Sequence, residues 1–236
     1  MQLSKLESYA YEELKKNKFE VFKIKDVCLL LKVSRTKAYN LVKSLKEKKA
    51  IENVGKGFLA FGGVDEFVIG SSIVSPSYVS FWSALNYYGF SDQMPKNILM
   101  VTTKHSPKVK NFNYVSLSKK RFFGYESIGK IVIADKEKTL IDSLLFPKYA
   151  GGIKEIMKCF SAALQEINIG RLTDYAFKVE SKAVLRRLGF ILEKNNYKGK
   201  LLEKLRKKTG EGYELLDPGL KRKNNLNETW LLDINL

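Results

Sequence analysis

Between Ile24 and Leu45 the apolar positions form two short helical stripes separated by a polar break. Ile24, Val27, Cys28 and Leu31 share one face of a first helix; Ala38, Leu41, Val42 and Leu45 share one face of a second. Lys32-Val33 reads as the turn between them. Ser34 then stands at the N-cap of the second helix, where its hydroxyl can accept a free backbone N–H. With the apolar stripe turned inward, Arg35, Thr36, Lys37, Asn40, Lys43 and Ser44 are left outside, with Tyr39 on the flank. Beyond this helix the period changes. Ala50-Ile51-Glu52-Asn53-Val54 predicts a strand, Gly55-Lys56-Gly57 a turn, and Phe58-Leu59-Ala60-Phe61 a return strand. A helix pair followed by a glycine-tipped hairpin is the order of a winged helix-turn-helix, with Lys56 at the tip of the wing.

An upstream helix, about 3–16, is expected to pack Leu6, Ala10 and Leu14 onto this pair. Lysine density falls near Asp65, which divides the chain into residues 1–62 and 65–236. In the second part, Pro76 or Ser77 opens an expected helix through PSYVSFWSALNYYGF. Val79, Trp82, Leu85 and Tyr88 share its face and Gly89 stops it. The stretches 97–103, 112–117 and 128–134 predict strands. Asp135 follows the last strand as the N-cap of a helix that buries Leu140, Ile141, Leu144 and Leu145, with Glu137 adding charge to its first turn. From Gly151 the pattern is helical, over 153–168, 170–179, 182–193 and 199–208. Strands at 213–216 and 230–234 close the chain around a basic, Asn-rich loop at 220–227. The expected class is α+β: a winged helix-turn-helix, a mixed α/β region at 65–150, a mainly helical section at 151–210, and closing strands at 213–234.

Charge sharpens this picture. Forty-two Lys and Arg against 25 Asp and Glu leave a formal +17, which favours polyanionic partners through counterion release. Glutamine occurs only at positions 2, 93 and 165, and a Lys-rich, Gln-poor chain also suits a thermophile. Charge therefore argues for DNA only together with the motif. The N-terminal stretch MQLSKLESYAYEELKK lacks a continuous apolar segment, so no signal peptide is expected, and no run approaches a membrane span. Cys28 and Cys159, without CxxC spacing, read as buried thiols and make neither a zinc site nor a disulfide framework. A soluble, cytoplasmic protein is expected.

In a major groove, Arg35 and Asn40 have the chemistry to read base edges, a guanidinium for guanine and an amide for adenine. Lys37, Lys43 and Lys56 suit phosphates; Ser34, Thr36 and Tyr39 complete the candidate set. The competing reading is a solvated helix face. Arg186 and Arg187 flank apolar positions Val184, Leu185, Leu188 and Ile191, which leaves them as a second basic surface or as surface partners of nearby acids. No catalytic residue, metal or cofactor is expected. His105 is the sole histidine and lies in a Lys/Ser/Pro-rich stretch, which argues against a His triad or a His-rich metal cluster. There is no GxxxxGK[ST] loop. Asp135, Glu137 and Asp142 are the best acidic constellation. Asp135 and Asp142 are two helical turns apart, too far along the axis for one metal, so a cap and surface charges explain them better. A ligand-sensing regulator is the alternative function, with Tyr78, Phe81, Trp82, Tyr87, Tyr88 and Phe90 lining a pocket. A DNA-targeted nuclease ranks last.

Five stretches, in order and spanning nearly the whole chain, carry a family resemblance: SRTKAYNLVKSLKEKKAIENVGKGFLAF, PSYVSFWSALNYYGF, IVIADKEKTLIDSLLFP, VLRRLGFILE and LDPG…NETWLLDIN. Together they resemble the AbiEi-type antitoxins, transcriptional regulators of viral-defence (abortive infection) operons. The resemblance implies a winged helix that binds operator repeats in double-stranded DNA and represses its own operon. It also implies a C-terminal region that opposes a co-transcribed nucleotidyltransferase-like toxin in the type IV manner, without a stable complex. Residues 91–127, including KHSPKVKNF, match no motif of that family, and the lysines at 199–208 and 221–223 exceed its pattern.

Overall fold

The computed structural model describes residues 2–105 and 108–236. Ser106 and Pro107, in the loop expected around His105, lie outside the described residues. The N-terminal part runs α1 (Lys5–Lys16), β1 (Val21–Lys23), α2 (Ile24–Leu31), α3 (Arg35–Glu47), β2 (Ile51–Gly55) and β3 (Phe58–Phe61). Its strands pair antiparallel in the order β1-β3-β2. Ala10, Leu14, Val27, Ala38, Leu41, Val42 and Leu45 are buried against Phe22, Ile51, Leu59 and Phe61, so the helical spacing and the strand alternation feed one core. Leu6 does not join it: the side chain is 45% exposed, and the contact begins one turn later at Ala10. Ser44 also departs from expectation. It donates to the carboxylate of Glu7, which also takes the Lys48 ammonium and the Ser4 N–H and so ties α1 to α3.

The other face of this sheet is equally occupied. Val21, Val54, Phe58 and Ala60 alternate with the first set and pack with Ile69, Ile73, Met100 and Phe112. Residues on both sides of Asp65 therefore share a core. Asp65 itself caps α4 (Glu66–Ile73), accepting the Phe67 N–H at 2.7 Å. That helix escaped the sequence pattern because EFVIGSSI shows no single apolar stripe.

The larger part is built on β4 (Ser77–Val79), α5 (Phe81–Tyr87), β5 (Ile98–Thr102), β6 (Lys108–Val109), β7 (Phe112–Ser116), β8 (Tyr125–Ile128), β9 (Ile131–Ala134) and α6 (Lys136–Leu145). Its strands form a mixed sheet in the order β6-β7-β5-β4-β9-β8. The inner position of β4 corrects the helix expected from Pro76. Tyr78 and Val79 are adjacent yet both fully buried, because each points into a different face of a covered sheet, and the helix starts only at Phe81. Its stop at Gly89 is as expected, with φ +73°. Val79, Met100, Phe112, Tyr114 and Ile133 share the core containing α4; Tyr78, Leu99, Val101, Val115 and Ala134 share the opposite one.

Four helices follow: α7 (Ile153–Ala163), α8 (Ile169–Lys178), α9 (Lys182–Lys194) and α10 (Lys200–Arg206). With α6 they enclose Leu140, Leu144, Ile156, Phe160, Leu172 and Leu188, and Cys159 sits there with its thiol pushed up to about 12 by burial. The closing strands β10 (Glu214–Leu215), β11 (Leu226–Asn227) and β12 (Leu232–Asp233) make a small sheet, of which β11 lies in the stretch expected as a loop. The class is mixed α+β, and among the described residues no helix is long and apolar enough to cross a membrane.

Candidate nucleic-acid interface

The turn between α2 and α3 forms as its sequence requires. Lys32 adopts the left-handed conformation at φ +52°, ending α2, and the Ser34 hydroxyl accepts the Lys37 N–H at 3.3 Å. Because Ala38, Leu41, Val42 and Leu45 point inward, Arg35, Thr36, Lys37, Tyr39, Asn40 and Lys43 are exposed. Ser34 is exposed too, with its hydroxyl engaged in the cap. The β2–β3 hairpin turns through Gly55, Lys56 and Gly57, all at positive φ, and Asn53 Oδ1 accepts the Gly55 N–H at 3.0 Å inside a β-bulge. Lys56 projects from this turn into solvent.

The two parts of the candidate surface meet. A hollow of about 440 Å³ is lined by Lys23, Ile24, Lys25, Cys28, Arg35 and Gly57, so the starts of α2 and α3 and the hairpin turn surround one space. Among the described residues none of Arg35, Lys37, Lys43 and Lys56 has an acidic partner within ion-pair distance, whereas Lys48, at the C-terminal end of α3, is held by Glu7. The exposed cations on this side are therefore free to meet external anions. Lys23 and Lys25 were absent from the sequence-based set. Only the tertiary structure brings them in: they flank Ile24 at the start of α2, which packs beside the hairpin turn, and Lys23 lies over the Phe58 ring at 4.0 Å.

The second basic surface expected at Arg186 and Arg187 does not exist. The two side chains are 1% and 5% exposed. Arg186 donates to the carbonyls of Thr209 at 2.9 Å, Glu211 at 2.9 Å and Leu231 at 3.5 Å. Arg187 donates to those of Leu216 at 2.9 Å, Leu144 at 2.9 Å and Leu215 at 3.2 Å. Burial lowers the Arg187 guanidinium below its ordinary range, opposed by Glu214 and Asp217. Both arginines serve as hubs for backbone oxygens, those of Thr209, Glu211, Leu215, Leu216 and Leu231 toward the chain end and that of Leu144 in α6. The rest of the RRLGFILE motif belongs to the same joint. Trp230 is fully buried, its Nε1–H donates to Glu193 at 2.7 Å, and a Cβ on Gly189 would meet its ring at 2.0 Å.

The acidic constellation is likewise committed. Asp135 caps α6 by accepting the Lys138 N–H at 2.7 Å and also takes Arg171 and Tyr175; burial nonetheless holds its carboxyl above the ordinary value. Glu137 accepts the Asn168 N–H at 2.7 Å. Asp142 is no surface charge: it is fully buried, ion-paired with Lys138 and bonded by Tyr78 and Ser80. The aromatics considered for a ligand pocket are mostly core. Tyr78, Phe81 and Phe90 are buried, and Tyr78 stacks on Tyr125 with 5.1 Å between ring centroids. His105 is exposed outside any helix or strand.

The fold has a solved counterpart. The chain is similar to the Rv2827c protein from Mycobacterium tuberculosis, with a TM-score of 0.73 over 98% of this chain and 92% of that one, at 12% sequence identity. At such an identity the likeness concerns the fold alone. No protein-family model and no curated protein matches the sequence.

Proposed function

We propose that this chain is a winged-helix DNA-binding repressor of its own operon. The observation that supports the reading is the set of exposed cations without acidic partners on α3 and the hairpin turn, with Arg35 sharing one hollow with Lys23, Lys25 and Gly57 of that turn. Helix α3 enters the major groove by its N-terminal end, Arg35 and Asn40 contact base edges, and Lys37, Lys43 and Lys56 contact phosphates. Ser34, Thr36 and Tyr39 border that contact. In this reading the chain is cytoplasmic and has no catalytic role. The antitoxin part of the proposal, opposition to a co-encoded nucleotidyltransferase-like toxin, rests on the family resemblance and assigns that work to residues 65–236.

Footprinting of the full chain on its own promoter tests the first part, with a protected direct or inverted repeat as the expected outcome. An unprotected operon under conditions where the protein is folded overturns it. Growth rescue tests the second part, with the toxin expressed from an unrelated promoter so that repression cannot account for survival. A full-length chain that fails to rescue removes the antitoxin role and leaves the repressor.

A further inference from the structure

Away from α3, a cavity of about 540 Å³ opens between the α8–α9 turn and the end of α10. Its floor is apolar, formed by Phe177 and Leu185, and its rim carries Lys182, Lys204, Lys207 and Lys208. Lys204, Lys207 and Lys208 are three and four positions apart, which brings them to one side of α10 and its C-terminal turn. Lys182 faces them from the start of α9. Its ammonium lies 2.6 Å from the place a Cβ on Gly210 would occupy, and Gly210 has φ +71°, so the absence of a side chain there leaves room for this cation. The segment against which Lys182 rests is itself fixed, since the buried Arg186 bonds the carbonyls of Thr209 and Glu211 on either side of Gly210.

None of the four lysines has an acidic partner among the described residues. The one carboxylate at the rim, Glu180, is taken by Lys120 at 3.1 Å, and its turn is held by Arg121 donating to the Val179 carbonyl at 2.8 Å. Four cations around a space of this size repel one another unless an anion enters. The volume falls within the roughly 300–1,000 Å³ of small-molecule sites. Inorganic phosphate would satisfy the lysines and leave Phe177 and Leu185 wet. A flat ring can cover that floor while a chain of phosphates reaches the ammonium groups, which bind phosphate as point charges.

We infer that this cavity binds a nucleoside polyphosphate, the base on Phe177 and Leu185 and the phosphates among Lys182, Lys204, Lys207 and Lys208. The site shares no residue with α3 or the hairpin, so it stands whether or not the chain binds DNA.

Isothermal titration calorimetry of the full-length protein with ATP, adenosine and pyrophosphate tests it. ATP binds, and adenosine and pyrophosphate each bind at least about tenfold more weakly, because each offers only half of the recognition. The double substitution Lys204→Ala/Lys208→Ala weakens ATP by about tenfold or more while its melting temperature stays that of the wild type, both residues being exposed. Arg35→Ala leaves ATP binding unchanged, which separates this site from the basic face of α3. Absence of ATP binding at about 1 mM overturns the inference. So does an unchanged affinity in the double variant, equal affinity for pyrophosphate and ATP, or loss of binding in Arg35→Ala.

Discussion

Helices α3 and α9 look alike in sequence and end in opposite environments. Both are 13 residues long, and both set basic residues among apolar ones: RTKAYNLVK in one, KAVLRRLGF in the other. In α3 the helix packs on one side only, and Arg35, Lys37 and Lys43 remain exposed. In α9 every residue from Val184 to Leu192 is buried, and Arg186 and Arg187 are consumed by six backbone carbonyls. A basic helical residue thus becomes a surface or a structural hub according to what lies across from it. Where backbone carbonyls face the helix, a guanidinium with five donors bonds several at once; where only solvent faces it, the charge stays available to a ligand.

Arg187→Ala breaks the comparison most severely. It removes the guanidinium donors from three carbonyls inside the fold, and a loss of about 3 kcal/mol or more in urea unfolding is expected. DNA affinity per folded molecule stays the same. A surface role would give the reverse pattern, near-normal stability with weakened binding.

Arg35→Ala and Asn40→Ala sharpen the other side. Each leaves stability within about 0.5 kcal/mol and lowers affinity for operator DNA by about 1–3 kcal/mol, with a smaller loss on random sequence. Equal losses on both DNAs, measured by fluorescence anisotropy, would move these residues to the phosphate-contacting group. Lys56→Ala makes a finer change: the log–log salt dependence becomes shallower by about one unit, with base preference intact. An unaltered slope means that the hairpin does not reach the backbone.

The smallest effect concerns the tie that orients α3. The Lys48 ammonium, then Ser44 and the Ser4 N–H, hold the Glu7 carboxyl at about 2, well below its ordinary 4.5. A carboxyl depressed by folding contributes stability that is fully present above pH 4.5 and is lost as the pH falls toward 2. Glu7→Gln removes this increment, so thermal melts of the variant fall less steeply across that acid window than those of the wild type. Parallel curves would show that the contact contributes nothing.

Local signals explain what was legible. The caps at Ser34 and Asp135, the stop at Gly89 and the glycine-tipped hairpin each depend on residues within a few positions, and each stands where the spacing puts it. The whole outward face of α3 apart from Ser44 follows from the same 3.6-residue period. Strand β4 was misread because a strand covered on both faces has no alternation to detect, and α4 because it has no apolar stripe. Lys23 and Lys25 join the candidate surface through the packing of α2 against the hairpin turn, which no local spacing expresses.

By itself the sequence determined the N-terminal helix pair and hairpin, the residues that α3 presents, and the boundaries of most helices, because turns, caps and periodicity are short-range properties of the chain. Only the tertiary structure decided that both faces of the N-terminal sheet are covered, that Asp142 is buried with Lys138, and that two arginines disappear beneath the closing strands. Each of these outcomes depends on backbone groups or side chains brought together across many residues, Arg187 with Leu144 and Leu216 for instance. The group of carbonyls that draws in a guanidinium exists only once those distant segments have met.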